Sequence, residues 1–129
     1  MAVNYATALK TTRMNAVVTA IDAGAGAGVL EIGTAAFAST LAQITLNDAC
    51  GTVSGAVLTL DVDPVPSDSS ANATGTAAVA RIKDSDGNVI VSGLTVTASG
   101  GGGDIIIGST SITSGQAVSL TSGTITHAA

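Results

Sequence analysis

The chain has 129 residues, 46% hydrophobic, 10% charged and 2% aromatic, with four Lys or Arg against nine Asp or Glu for a net charge of −5. That length suits one domain, residues 1–129, with a core of its own. Four cations cannot form the basic stripe that nucleic-acid binding needs, no apolar run approaches the roughly 20 residues of a membrane span, and the single cysteine, Cys50, excludes an internal disulfide framework.

With one Tyr, one Phe and no Trp, the core must be built from Ala, Val, Leu and Ile. Small side chains bury little area each, at about 25 cal/mol per Å², and sixteen glycines add entropy cost. The expectation is a marginal isolated chain that draws further stability from contacts between subunits. Cys50 is expected as a small buried apolar residue, since no cation lies near it in sequence to favour a thiolate. The start of the chain does not read as a secretory signal: Lys10 and Arg13 come late, and Asn15 and Asp22 break the apolar stretch behind them.

In chain order, the spacing predicts one helix over residues 4–22. Met14, Val17, Val18 and Ile21 fall at i, i+3, i+4 and i+7, with Leu9 joining from the preceding turns. Asn4 is the expected cap, and the Gly-Ala run from Gly24 to Gly28 stops the helix. The helix either covers one end of the sheet or lies against a neighbouring subunit; both stay open at this point. Residues 29–33 (VLEIG) predict a short strand, and 35–39 a small-residue connection carrying Phe37. Residues 41–47 alternate, with Ala42, Ile44 and Leu46 opposite Gln43 and Thr45. After a turn-rich stretch, 56–63 alternate again, with Leu58, Leu60 and Val62 opposite Val57, Thr59, Asp61 and Asp63. Residues 64–75 lack a periodic signal and hold both prolines, so a plain surface loop is expected.

Residues 76–91 carry the clearest local signal. Two runs of strand-type residues flank Asp84-Ser85-Asp86-Gly87. Ser85 and Asp86 suit the centre of a type I turn, and Gly87 the left-handed position that closes a bulged hairpin. Ala78, Ala80 and Ile82 point one way, Val79, Arg81 and Lys83 the other. This hairpin is taken as the centre of the domain. Further short strands follow over 94–98, 104–107, 110–112 and 116–126. About eight short strands separated by turns predict a mainly β fold, an antiparallel β-sandwich or jelly roll over 29–126 with the one N-terminal α-helix.

Each motif that suggests chemistry has a simpler structural explanation. Gly24-Ala25-Gly26-Ala27-Gly28 fails as a dinucleotide loop, because its third glycine is one residue early and a strand follows where a helix should begin. The tetraglycine 100–103 lacks the Lys-Ser/Thr of a P-loop and reads as a flexible loop or a tight backbone crossing. Asp84-x-Asp86-x-Asn88 begins like a calcium loop, but Gly87 is misplaced and Thr95 stands where the bidentate Glu belongs. Asp61 and Asp63, with Asp68 beyond them, are read as solvated. His127, close to the C-terminal end, is poorly placed for a general base. One Cys and one His make no structural zinc set, and the Thr-x-Thr pairs at 95–97 and 124–126 lack the regular repeat of an ice-binding face. No catalytic, cofactor-binding or metal residue is assigned, and no enzyme is expected.

Three phrases carry a family resemblance: the opening MAVNYATALKTTRMNAVVTAIDAGAGAGVLEIGTA, the hairpin ATGTAAVARIKDSDGNVIVSGLTV and the close SGQAVSLTSGTITHA. Together they resemble small virion proteins of tailed bacteriophages, in particular head decoration (cement) proteins. The resemblance implies a small β-rich protein, made in the host cytoplasm and bound to the outside of a capsid. Its partners would be the major capsid protein and itself, as a homotrimer at local three-fold positions that braces neighbouring capsomers. The competing readings are a tail or head-fibre component, and a glycan- or peptide-binding module whose only aromatic platforms would be Tyr5 and Phe37.

Overall fold

The first element of the computed structural model, which describes residues 5–24, 26–47, 49–62 and 65–127, is a helix, α1 (Thr7–Ile21). Met14 and Ile21 are buried, and Val17 and Val18 pack half-buried against the same core. Leu9 is not part of that stripe and is 45% exposed. At 3.6 residues per turn it lies about 140° around the helix from Met14, which corrects its expected place. The expected cap, Asn4, is outside the described residues; Ala6 stands at the cap position and makes no side-chain bond. Beyond the helix, Asp22 accepts a bond from the Cys50 amide at 3.1 Å, and Gly24 takes the positive φ of 97° that turns the chain away.

The strands are β1 (Val29–Gly33), β2 (Thr40–Thr45), β3 (Gly51–Ser54), β4 (Val57–Leu60), β5 (Ser67–Asp68), β6 (Gly75–Thr76), β7 (Val79–Lys83), β8 (Val89–Ala98), β9 (Ile105–Ile107), β10 (Ser111–Ile112) and β11 (Val118–Thr126). The fold is mainly β, as expected, with eleven strands among the described residues rather than about eight. The main sheet runs β2-β1-β7-β8-β9-β11-β4-β3, with β5 on β11, and β6 pairs with β10 separately. The sheet curls so that β2 approaches β11 and β5, giving a sandwich-like core. α1 packs on β3 and β4 and touches β8, so it covers its own sheet. Its Thr11 hydroxyl donates to the Gly55 carbonyl at 2.6 Å, fixing the helix to the β3–β4 turn.

Register explains the core. Ile44, Leu30, Ile82 and Val91 lie opposite one another across β2, β1, β7 and β8, and Ala42, Ile32, Ala80 and Leu94 form the next row but one. Apart from half-buried Val91, these face inward and are buried, with Leu58, Leu60, Ile105, Ile107 and Leu120 supplied by the other half of the sheet. Cys50 is buried as expected.

Three further differences from the sequence reading have physical causes. The sheet is mixed: β8 and β9 pair in parallel, Val96 with Ile105 through Ala98 with Ile107. Parallel neighbours usually need a crossover of a dozen or more residues. Here the tetraglycine makes a tight crossing, with Gly100 and Gly102 at positive φ and Gly101 and Gly103 so close to Thr97 that a Cβ would stand 2.5 and 2.9 Å from it. The Asp104 carboxylate accepts from the Thr95 amide at 3.1 Å, and Thr97 accepts from the Gly103 amide at 2.9 Å. Next, β4 ends at Leu60, so Asp61 lies past the strand, and Asp63 is outside the described residues. Finally, the segment expected as a plain loop is a strap across the open side of the curled sheet; of it, Pro64 is outside the described residues. Pro66 and Ala71 are buried, Leu120 donates to the Pro66 carbonyl, Asn72 to Leu41, and the Asp68 carboxylate accepts from the Gln43 amide. Pro66 and Ala71 turn inward while the polar residues bond backbone, so no periodicity marks the segment.

The β7–β8 hairpin turns as predicted. Gly87 has φ 90° and donates to the Asp84 carbonyl at 3.1 Å, while the Asp84 carboxylate accepts from the amides of Asp86 and Asn88 and the Asn88 side chain. The Asn88 side chain first, then the turn amides, hold the Asp84 carboxyl below its ordinary value. Replacing Asp84 by Ala is expected to lower the melting temperature more than replacing exposed Asp86, which a paired thermal melt checks.

Candidate interaction site

Glu31 sits in the middle of β1 between buried Leu30 and Ile32, on the opposite face. It is only 4% exposed because the neighbouring strands fold their polar side chains over it. The register sets Gln43 of β2 on one side of it and Arg81 of β7 on the other. The Arg81 Nε donates to Glu31 Oε1 at 2.7 Å, the Lys83 ammonium approaches the same oxygen at 3.2 Å, and the Gln43 amide donates to Oε2 at 2.9 Å. Desolvation pushes the Glu31 carboxyl up, but the bonds from Arg81, Gln43 and Lys83 together outweigh it and hold the group below its ordinary range.

Phe37 completes the cluster. The Arg81 guanidinium lies over its ring, 4.3 Å from the centroid. The ring in turn covers Gly33, where a Cβ would stand 2.5 Å from it. To reach that place the 3₁₀ turn Ala35–Phe37 takes left-handed backbone at two successive non-glycine residues, Ala36 at φ 57° and Phe37 at φ 54°. Each such residue costs about 1–2 kcal/mol. The Thr34 side chain and backbone brace the turn by bonding Ser39. Exchanging Ala36 for Gly is expected to stabilise the protein by up to about 1 kcal/mol, the relieved strain less the added chain entropy; urea unfolding reads it.

Beside the cluster, toward the hairpin turn, lies an open depression of about 230 Å³ edged by Val29, Gln43, Lys83 and Ser85. A second, of about 370 Å³, runs along β3 and β4 past Asp61. In the first, the Ser85 hydroxyl donates to the Ala23 carbonyl at 3.2 Å rather than to a base. The residues singled out for chemistry in the sequence are dispersed. Asp84 accepts from turn amides, and Asp68 from the amides of Gln43 on β2 and Ser70 in the strap. Thr95 donates its amide and hydroxyl to the Asp104 carboxylate. His127 donates its amide to the Ala56 carbonyl at 2.8 Å and packs its ring edge-on to Tyr5, 5.9 Å between centroids, so it is anchored rather than loose. Arg13 lies over the other aromatic ring, Tyr5, at 4.8 Å. Among the described residues, no three of His, Cys, Asp and Glu come together as metal ligands, and no helix is long and apolar enough to cross a membrane. The Glu31 cluster went unseen in the sequence. Its one signal is a charged residue inside the apolar VLEIG strand, facing the same side as Arg81 and Lys83 once the β1–β7 register is known.

Comparison with protein-family models, with curated proteins and with solved structures finds no match to this chain.

Proposed function

We propose that the protein is a structural virion component that binds the outside of a phage capsid and stabilises it, as a homotrimer, and carries out no reaction. The observation that supports this most is an exposed, hydroxyl-rich sheet face. Thr52, Thr59 and Thr124 lie in register across β3, β4 and β11, and Ser54, Val57 and Thr126 form the parallel row beside them. All but Val57 are exposed. Short hydroxyl and methyl groups on a pleated surface offer contact area with little side-chain entropy to lose on docking. The resemblance of the opening, hairpin and closing phrases to decoration proteins points the same way. Co-sedimentation of the purified protein with shells lacking it tests the reading: saturable binding to heads is expected, and association with tails alone would transfer the protein to the fibre class. Sedimentation of the free protein tests the trimer, and a monomer at all concentrations would remove it.

A further inference from the structure

We infer that Arg81, mounted on Phe37 and braced by Glu31, is a receptor for a carboxylate presented by a partner protein. Three observations converge on it. The Arg81 Nε is committed to Glu31, while its two terminal nitrogens make no hydrogen bond to any described residue, so the end of the guanidinium fork is left to an outside acceptor. The Arg81 side chain is 30% exposed, enough to be reached, whereas the Glu31 side chain that orients it is 6% exposed. The backbone holds two strained residues to place the chain's one phenylalanine under the guanidinium, and strain of this kind persists where a site needs a fixed geometry.

Charge selects the ligand. Arg81 and Lys83, half of the chain's four cations, share the one carboxylate of Glu31 and leave a local excess of one positive charge. The Asp84 carboxylate, at the hairpin end beyond Lys83, takes only neutral turn donors and keeps its negative charge, and exposed Asp86 lies further along that turn. The anion therefore approaches from the Phe37 side, away from both. A single planar monoanion matches the fork and the single excess charge. A phosphate dianion exceeds that single excess charge and is opposed more strongly than a monoanion by the net charge of −5. An arginine fixed on an aromatic ring is also the kind of side chain that dominates binding energy in protein interfaces.

That the carboxylate belongs to a capsid protein rests on the function proposed above; the site itself does not. Two measurements separate them. In the first, sodium acetate is titrated against the free protein at constant ionic strength and followed by NMR, with sodium chloride and inorganic phosphate as the other arms. Selective shifts of the Arg81 Nε–H and the Phe37 ring with acetate are expected, with the ring shift lost in Arg81→Lys. Shifts with phosphate but not acetate, or with none beyond chloride, overturn the inference. In the second, Arg81→Lys and Phe37→Leu, each checked for an unchanged fold, are bound to bare shells. A loss of about tenfold or more in affinity is expected from removing the fork or its platform. Shells that bind both variants as tightly as the parent overturn the role of Arg81 and leave the capsid reading standing. An acetate response in a protein that ignores shells leaves the site standing and removes the capsid reading.

Discussion

Replacing Ile82 by alanine is expected to destabilise the protein by about 2–5 kcal/mol, the range for emptying a large aliphatic site in a rigid core. Ile82 is fully buried on β7, a strand flanked by β1 and β8, opposite Leu30 and Val91. Its neighbours are held in register by two ladders and cannot close over the gap. The chain has no tryptophan, its single phenylalanine lies on the other face of this sheet and its single tyrosine, Tyr5, packs against His127 and Arg13, so no large ring can move in. Domains of this size are stable by only about 5–15 kcal/mol, and a core without aromatics lies toward the low end. A substantial fraction of the Ile82→Ala protein should therefore be unfolded near physiological temperature unless assembled with a partner. Val89→Ala, at a half-exposed position of β8, serves as control and should change stability by less than about 0.5 kcal/mol. Urea unfolding of the pair measures both. Equal effects would mean that the hairpin is not the centre of the core.

The second large effect is expected at Glu31. Alanine there leaves Arg81 and Lys83, two residues apart on one strand face, without their shared counter-charge. Removing one member of a fully buried pair costs about 3–5 kcal/mol. Here the cation side chains are 30% and 24% exposed and water solvates what is left, so about 1–3 kcal/mol is expected. The pH dependence carries a sign. The carboxyl is held below its ordinary value in the folded protein, so its contribution is present above the unfolded value, about 4.3, and is lost as pH falls through the folded value. Stability of the parent should drop on acidification below roughly pH 4.3, and Glu31→Gln should flatten part of that drop while costing less than alanine at pH 7. Asp84, also held low, keeps its own share of the acid sensitivity in both proteins.

What could be read from the chain was what is local. The β7–β8 turn depends on four consecutive residues and their own side-chain bonds, and the helix stripe on one fixed angular step, so both were legible. Leu9 lies off the stripe because its angular position, about 140° from Met14, turns it to solvent. The parallel β8–β9 pairing was not legible: it depends on Gly101 and Gly103 lying against Thr97, a contact with no periodic trace. The strap was missed because Pro66 and Ala71 are buried by the sheet they cover rather than by any pattern of their own. The Glu31 cluster joins residues 50 positions apart, and only the strand register brings them together.

Heating tests the central claim most directly. Shells lacking this protein are incubated with the purified chain, freed of excess, and warmed until they release their contents. A rise in the release temperature that saturates with bound protein is the predicted result, with a smaller rise for Arg81→Lys. Unchanged release at full occupancy, or no occupancy at all, would contradict the view that the protein acts by bracing a capsid.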